Sequence, residues 1–396
     1  MCRSFDMDLA SPLPAAANAV SPSRRPSARP LFVFVLFLLG LAVEPPVASH
    51  VRAARLLLAF QDAGAATAGG VREEILTFAA PRGEVRARVF VPEGAVRPPA
   101  MVLIHGVHRK GIDEPRLLRF SRALSRAGVT ILTPEVVELS DYVVEARSID
   151  TVGAAMVALA LRTGHERVGV MGMSFGGGIA LLTAADPRYR DVASVVVAVG
   201  AHHDMARVSR FFAGQPATGP DGATSPVQPH AYGGMVLLHA RVAEFFPAED
   251  VPAARESIKL WLWEERDRAR AEAKKLSPSS QARVETLFAG DLEGVRPTLL
   301  HAIDGHAAEM AAVSPRDKLA DIQADVFLLH GAGDTVIPAT ETAWLAREVP
   351  PARLRQAIVS PAIVHVELEG TPTTAQKWQL VHFMGDVLLA ADRRGR

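Results

Sequence analysis

The chain has 396 residues, 49% of them hydrophobic, with 43 basic residues against 43 acidic ones and a single cysteine, Cys2. That is enough apolar chain to bury a large core, in one domain with an insertion or in two domains. The charge balance offers nucleic acid or another polyanion no general attraction, and one cysteine excludes an internal disulfide framework or a cysteine-rich metal centre.

In chain order, the basic, Pro/Ser-rich "SPSRRPSARP" precedes an apolar run, Leu31–Val43. As a helix this run would be about 20 Å long, short of the roughly 30 Å hydrocarbon core of a bilayer. It therefore reads as the hydrophobic region of a signal peptide, with small residues for cleavage at Val47-Ala48-Ser49; an uncleaved anchor is the second reading. Residues 1–49 are expected to be a signal peptide or N-terminal anchor and residues 50–70 a linker or a membrane-proximal helix. The protein is then exported, periplasmic or secreted, or held at a membrane by its N-terminus, and a cleaved chain begins after about Ser49.

From Val71 the pattern is regular. "EEILTFAAP" and "VRARVFVP" flank Pro81-Arg82-Gly83 as two antiparallel strands at a sheet edge would. "AMVLIHG", "VTILTPE", "RVGVMGMS" and "VASVVVAVG" are short apolar runs suited to strands buried on both faces, and helical patterns separate them. "ADVFLLHG" and "LRQAIVS" resume the series after a long interruption. Such alternation predicts an α/β fold with a mostly parallel central sheet flanked by helices. Its core occupies residues 71–200 and 315–396, and residues 201–314 form a helical cap insertion. Within the insertion, "AGQPATGPDGATSPVQPHAYGG" reads as a flexible entry and "EERDRARAEAKK" as a solvated helix face. Trp261 and Trp263 either pack the insertion or line a pocket, and are carried as substrate-binding candidates.

Gly172-Met173-Ser174-Phe175-Gly176 is a G-x-S-x-G sequence between a strand and a helix. That is the context of a nucleophile elbow, whose serine hydroxyl is presented at the strand end. A serine merely capping the helix is the competing reading. No Lys-Ser/Thr pair follows the glycines, so a phosphate-binding loop is not supported. A serine nucleophile needs a base, an orienting acid and oxyanion donors. Asp334, in the loop after "VFLLHG", fits the acid, and His365, after the last strand, fits the base. The backbone N–H groups of Phe175 and Val107 fit the oxyanion hole. His105, Gly106 and His108 stand near the same edge and are carried as substrate-binding candidates, His105 with a structural role as the stronger reading. His202-His203-Asp204 lacks a second ligand group at metal spacing, so no metal is expected; Asp204 is kept as a substitute acid.

These motifs, with "HGAGDTVIP" and a late histidine, resemble the α/β-hydrolase superfamily, nearest to its dienelactone-hydrolase-like and serine esterase or peptidase branches. The resemblance runs from about Val71 to Ala391. It implies an α/β-hydrolase fold with a cap, Ser174 as nucleophile, Asp334 as acid, His365 as base, the Phe175 and Val107 amides as oxyanion donors, and no cofactor. Dienelactone hydrolases carry cysteine where this chain has Ser174, so their lactone substrate is not carried over. The expected activity is hydrolysis of a small-molecule carboxylic ester through an acyl-enzyme. An acyltransferase, a peptidase and a non-catalytic small-molecule-binding protein are the alternatives.

Overall fold

Apolar runs of five to seven residues form the middle of the sheet, as their lack of alternation requires. The computed structural model describes residues 45–60, 69–365, 367–368 and 372–394; the apolar run Leu31–Val43, with all of the expected signal or anchor up to residue 44, lies outside the described residues. The strands are β1 (Val71–Ala80), β2 (Gly83–Pro92), β3 (Ala100–Ile104), β4 (Thr130–Pro134), β5 (Val168–Met173), β6 (Ala193–Val199), β7 (Asp325–Gly331) and β8 (Leu354–Ser360). They form one sheet in the order β1-β2-β4-β3-β5-β6-β7-β8. β1 and β2 pair antiparallel, as do β2 and β4, and all later pairs are parallel. Every residue of β3, β4 and β7 is buried, whereas the edge strands β1 and β8 alternate, each having one covered face.

Crossover helices cover both faces. A helix over residues 45–60 (α1), α2 (Pro115–Arg126), the single turn α3 (Val137–Ser140), α4 (Arg147–Thr163) and α5 (Phe175–Ala185) belong to the first part of the fold. Between β6 and β7 come α6 (Met205–Phe212), α7 (Ala231–Ala240), α8 (Val251–Leu262), α9 (Arg266–Ala273), α10 (Pro278–Phe288), α11 (Arg296–Gly305) and α12 (Ala307–Ala312). After β7 come α13 (Thr340–Glu348) and, beyond a short hairpin of β9 (Ile363–Val364) and β10 (Glu367–Leu368), α14 (Thr374–Arg394). Alternate side chains of one strand enter different layers. Val102 and Ile104 pack with Leu159 of α4, Ile179 of α5 and the insertion. Met101 and Leu103 pack with Leu124 of α2, Phe383 and Leu388 of α14, and Ala53 and Leu56 of α1.

Two expectations change here. The stretch read as a linker or a membrane-proximal helix contains α1, which packs on the body of the protein: Ala53 and Leu56 are buried and Arg52 donates to the Ala127 carbonyl at 2.5 Å. The supposed flexible entry is tied to the body: Trp344 Nε1 donates to Thr218 O at 2.9 Å and His230 N to Thr335 O at 2.9 Å. The charged α9 buries only Ala269 and Ala273, as a solvated helix does. Among the described residues no helix is long and apolar enough to cross a membrane.

Candidate active site

β5 ends and α5 begins at Ser174, so the chain must reverse direction within one residue. Ser174 takes φ 55° and ψ −131°, a strained conformation for a residue with a Cβ. Its N–H donates to Val199 O at 2.7 Å and its carbonyl accepts from Gly177 N at 2.9 Å, which holds the turn. The flanking glycines are required by contact. A Cβ on Gly172 would stand 2.1 Å from Gly176 O, and one on Gly176 would stand 2.6 Å from His105 O. The Ser174 side chain makes no capping hydrogen bond to α5, which removes the reading of a simple helix cap.

Strands β5, β6 and β7 are adjacent and parallel, so the loops after β5 and β7 leave the same sheet edge, about 10 Å apart. Asp334, in the loop after β7, is fully buried. Its Oδ1 accepts from Val336 N at 2.8 Å and Ile337 N at 2.9 Å. Its Oδ2 accepts from His365 Nδ1 at 2.8 Å and faces His330 Nε2 at 3.4 Å. Burial alone would raise the Asp334 pKa, but the facing His330 and hydrogen-bonded His365 imidazoles outweigh it and hold the carboxyl well below the usual carboxylate range. His365 lies in the tight turn between β9 and β10 at φ 51°, close to Gly331 at the end of β7, and its side chain stays partly open to solvent. With Nδ1–H given to Asp334, its Nε2 is the nitrogen left to carry a proton to and from a substrate.

The loop after β3 runs beside the serine: a Cβ on Gly106 would lie 3.3 Å from Ser174 Cβ. Val107 follows in that loop, and its carbonyl accepts from Tyr232 OH at 3.4 Å. Phe175 N–H is the first of α5 and has no intrahelical acceptor, which leaves it available to an anion.

A cavity of about 590 Å³ adjoins the elbow, lined by Phe175, Tyr142 and, from the insertion, Met205, Phe212, Val236 and Met310. His105, His108, Trp261 and Trp263 do not line it. His105 is buried, donating from Nδ1 to Gly106 O at 2.8 Å and accepting at Nε2 from Val136 N at 3.2 Å. Burial pushes its pKa down to about 4. His108 Nδ1 accepts from Lys110 N at 3.2 Å, which orders the β3 loop. Trp261 stacks on Phe288 at 6.0 Å under the Arg266 guanidinium, inside the insertion. Trp263 lies under Arg109, 5.6 Å away, and so joins the insertion to the β3 loop.

Asp204 caps α6 by accepting from Arg207 N at 3.1 Å and pairs with Arg316 at 3.0 Å, commitments that take it away from an acid role. His203 N and Asp204 N both donate to the buried Glu341, at 2.8 and 2.9 Å. Glu341 and the second partner of Asp334, His330, are what sequence reasoning missed. The only sequence signal for His330 was its position four residues before Asp334.

Strand order, parallel crossovers and elbow together define an α/β-hydrolase fold. No protein-family model matches the chain, and no curated protein matches it. Among solved structures, 2,6-dihydroxy-pseudo-oxynicotine hydrolase matches at TM-score 0.45 and 16% identity, over 83% of this chain and 70% of that one. The Pyrobaculum calidifontis esterase matches at TM-score 0.46 and 14% identity, over 86% and 90%. The Pyrococcus horikoshii acylaminoacyl peptidase matches at TM-score 0.38 and 12% identity, over 69% of this chain, which spans about a third (34%) of that peptidase. The fold assignment rests on the topology of this chain itself.

Proposed function

We propose that the chain is a serine hydrolase, nearest in motif pattern to dienelactone-hydrolase-like serine esterases, that cleaves a carboxylic ester through an acyl-enzyme on Ser174. His365 Nε2 takes the Ser174 proton as Oγ attacks the ester carbonyl, while the Asp334 carboxylate holds the imidazole in its Nδ1–H tautomer and stabilises the imidazolium. The oxyanion accepts from Phe175 N–H and Val107 N–H. His365 then protonates the departing alcohol, and the same base activates the water that releases the acid. The cavity beside Phe175 takes the hydrocarbon part of the substrate. The N-terminal segment directs the protein out of the cytoplasm.

The observation that supports this reading most is the 2.8 Å Asp334–His365 hydrogen bond at the sheet edge where Ser174 keeps a strained backbone and a hydroxyl that does not cap α5. A fluorophosphonate probe tests it, since labelling needs an activated hydroxyl. Wild-type protein should be labelled at Ser174, Ser174→Ala should not, and p-nitrophenyl esters should be turned over. Hydrolysis of aminoacyl amides without ester turnover would move the assignment to a peptidase. No labelling of folded protein would leave only a binding role.

A further inference from the structure

We propose that His50, His382 and Asp386 form a binding site for a divalent transition metal of the zinc type, which joins the first described helix to the last. One donor atom from each lies within 4.8 Å of the others. His50 Nε2 is 2.9 Å from His382 Nδ1 and 4.0 Å from Asp386 Oδ1. His382 and Asp386 stand one turn apart on α14, so both project from one face of the helix.

The surroundings are arranged as those of a metal ligand. His50 Nδ1 donates to the Pro46 carbonyl at 2.7 Å, which fixes the tautomer and leaves the Nε2 lone pair facing the cluster. Gln356 Nε2 donates to Asp386 Oδ2 at 2.5 Å and orients the carboxylate. Gly385 provides the space: a Cβ there would lie 2.8 Å from His50 Cγ and 2.9 Å from Nδ1. Glycine is a poor helix former, and its place within the 21 residues of α14 is explained by the imidazole lying against it.

Two imidazoles and one carboxylate favour zinc and its neighbours over calcium or magnesium, which prefer all-oxygen sites. Zinc–nitrogen bonds of about 2.0–2.1 Å at a tetrahedral angle put two ring nitrogens roughly 3.4 Å apart. The present 2.9 Å separation therefore has to open slightly. His382, whose side chain is 55% exposed, is free to make that adjustment. Its Nδ1 ligates once the proton shared with His50 resides on Nε2, and water completes the four positions. His50 and Asp386 stand 336 positions apart in the sequence, so the metal would pin α1 onto α14.

The test uses the full chain without an affinity tag, stripped with a chelator and titrated with zinc alone by calorimetry and thermal melting. Wild-type protein should bind one zinc saturably and melt at a higher temperature when loaded. His382→Ala, at an exposed position, and Asp386→Asn should each weaken binding at least tenfold and abolish the thermal response. Gly385→Ala keeps all three ligands and should also weaken binding by displacing the His50 ring, while His306→Ala, elsewhere on the surface, should change nothing. No saturable binding, or binding indifferent to His382→Ala, would overturn the proposal and leave a polar helix contact. Fluorophosphonate labelling of Ser174 does not pass through this site, so either reading can fail without the other.

Discussion

Ser174 keeps a conformation that costs about 1–3 kcal/mol for a residue with a Cβ. Two backbone hydrogen bonds, to Val199 and from Gly177, hold it there. Ser174 is buried in this turn at the strand end, and on the proposed reading the strain sets its hydroxyl for attack, so removing it should separate stability from activity. Ser174→Gly is expected to be about 1 kcal/mol more stable than Ser174→Ala in urea unfolding, with both variants at least about 10⁴-fold slower on esters. Equal stability of the two would show that the turn is relaxed. Asp334→Asn should lower kcat by about 10⁴-fold, because an amide no longer stabilises a charged His365. The depressed Asp334 carboxyl also sets the sign of its effect on acid stability. Its contribution is present above the unfolded pKa of about 3.9 and is lost as pH falls through the folded value. That Ser174 and Asp334 stand just beyond buried strands was legible in the sequence because those strands are recognisable, whereas the two-residue β9 that carries the chain to His365 was not. Nor was the second partner of Asp334. A histidine closing a buried strand looks the same whether it braces a loop, as His105 does, or faces a carboxylate, as His330 does.

At the level of elements, strands buried on both faces were easy to read because nothing else makes short, unbroken apolar runs between helices. That α1 packs on the core was not legible, for the opposite reason. Its buried face is carried mainly by Ala53 and Leu56, too little periodicity to stand out in an Ala-rich segment. Leu56→Ala should destabilise the protein by about 2–5 kcal/mol, measured by urea unfolding; a change below 0.5 kcal/mol would mean that α1 contributes nothing to the core. The helix also bears on export. Ser49 is buried and its hydroxyl donates to Pro46 O at 2.8 Å, so a cut after Ser49 would fall within the first described turn of α1. Any processed chain is therefore expected to begin before Pro46, which mass spectrometry of the protein from its native source checks directly. The tryptophans teach a related lesson. Aromatic identity does not say which face a side chain takes, and Trp261 turned inward onto Phe288 while Met205 and Phe212 formed the cavity wall.

On the scale of the whole molecule, the insertion and Phe175 line one cavity, and if that cavity receives the substrate as proposed, substrate choice depends on its walls. An apolar wall discriminates by about 1–3 kcal/mol per methylene-sized change. Phe212→Ala should accordingly shift the preferred p-nitrophenyl ester toward longer acyl chains, and Trp261→Ala should lower stability without moving the length profile. The chain also carries buried histidines. His105 lies beneath the β3 loop, His239 is within α7, and His202 packs between Phe175 and Val313. Burial pushes His105 and His239 down to about 4 and lowers His202 as well. A depressed histidine is neutral in the folded state while its unfolded counterpart, near 6.5, takes up a proton. Stability is then complete above about pH 6.5 and declines toward pH 4, by up to about 1.4 kcal/mol per pH unit for each such group. His239 is the cleanest place to see this, since among the described residues neither ring nitrogen has a hydrogen-bond partner and a neutral replacement sacrifices none. His239→Met should leave the pH 7.5 urea midpoint unchanged or raised, and should flatten its fall between pH 6.5 and 4.5. A slope identical to that of the wild-type protein would show that His239 does not contribute to the acid sensitivity.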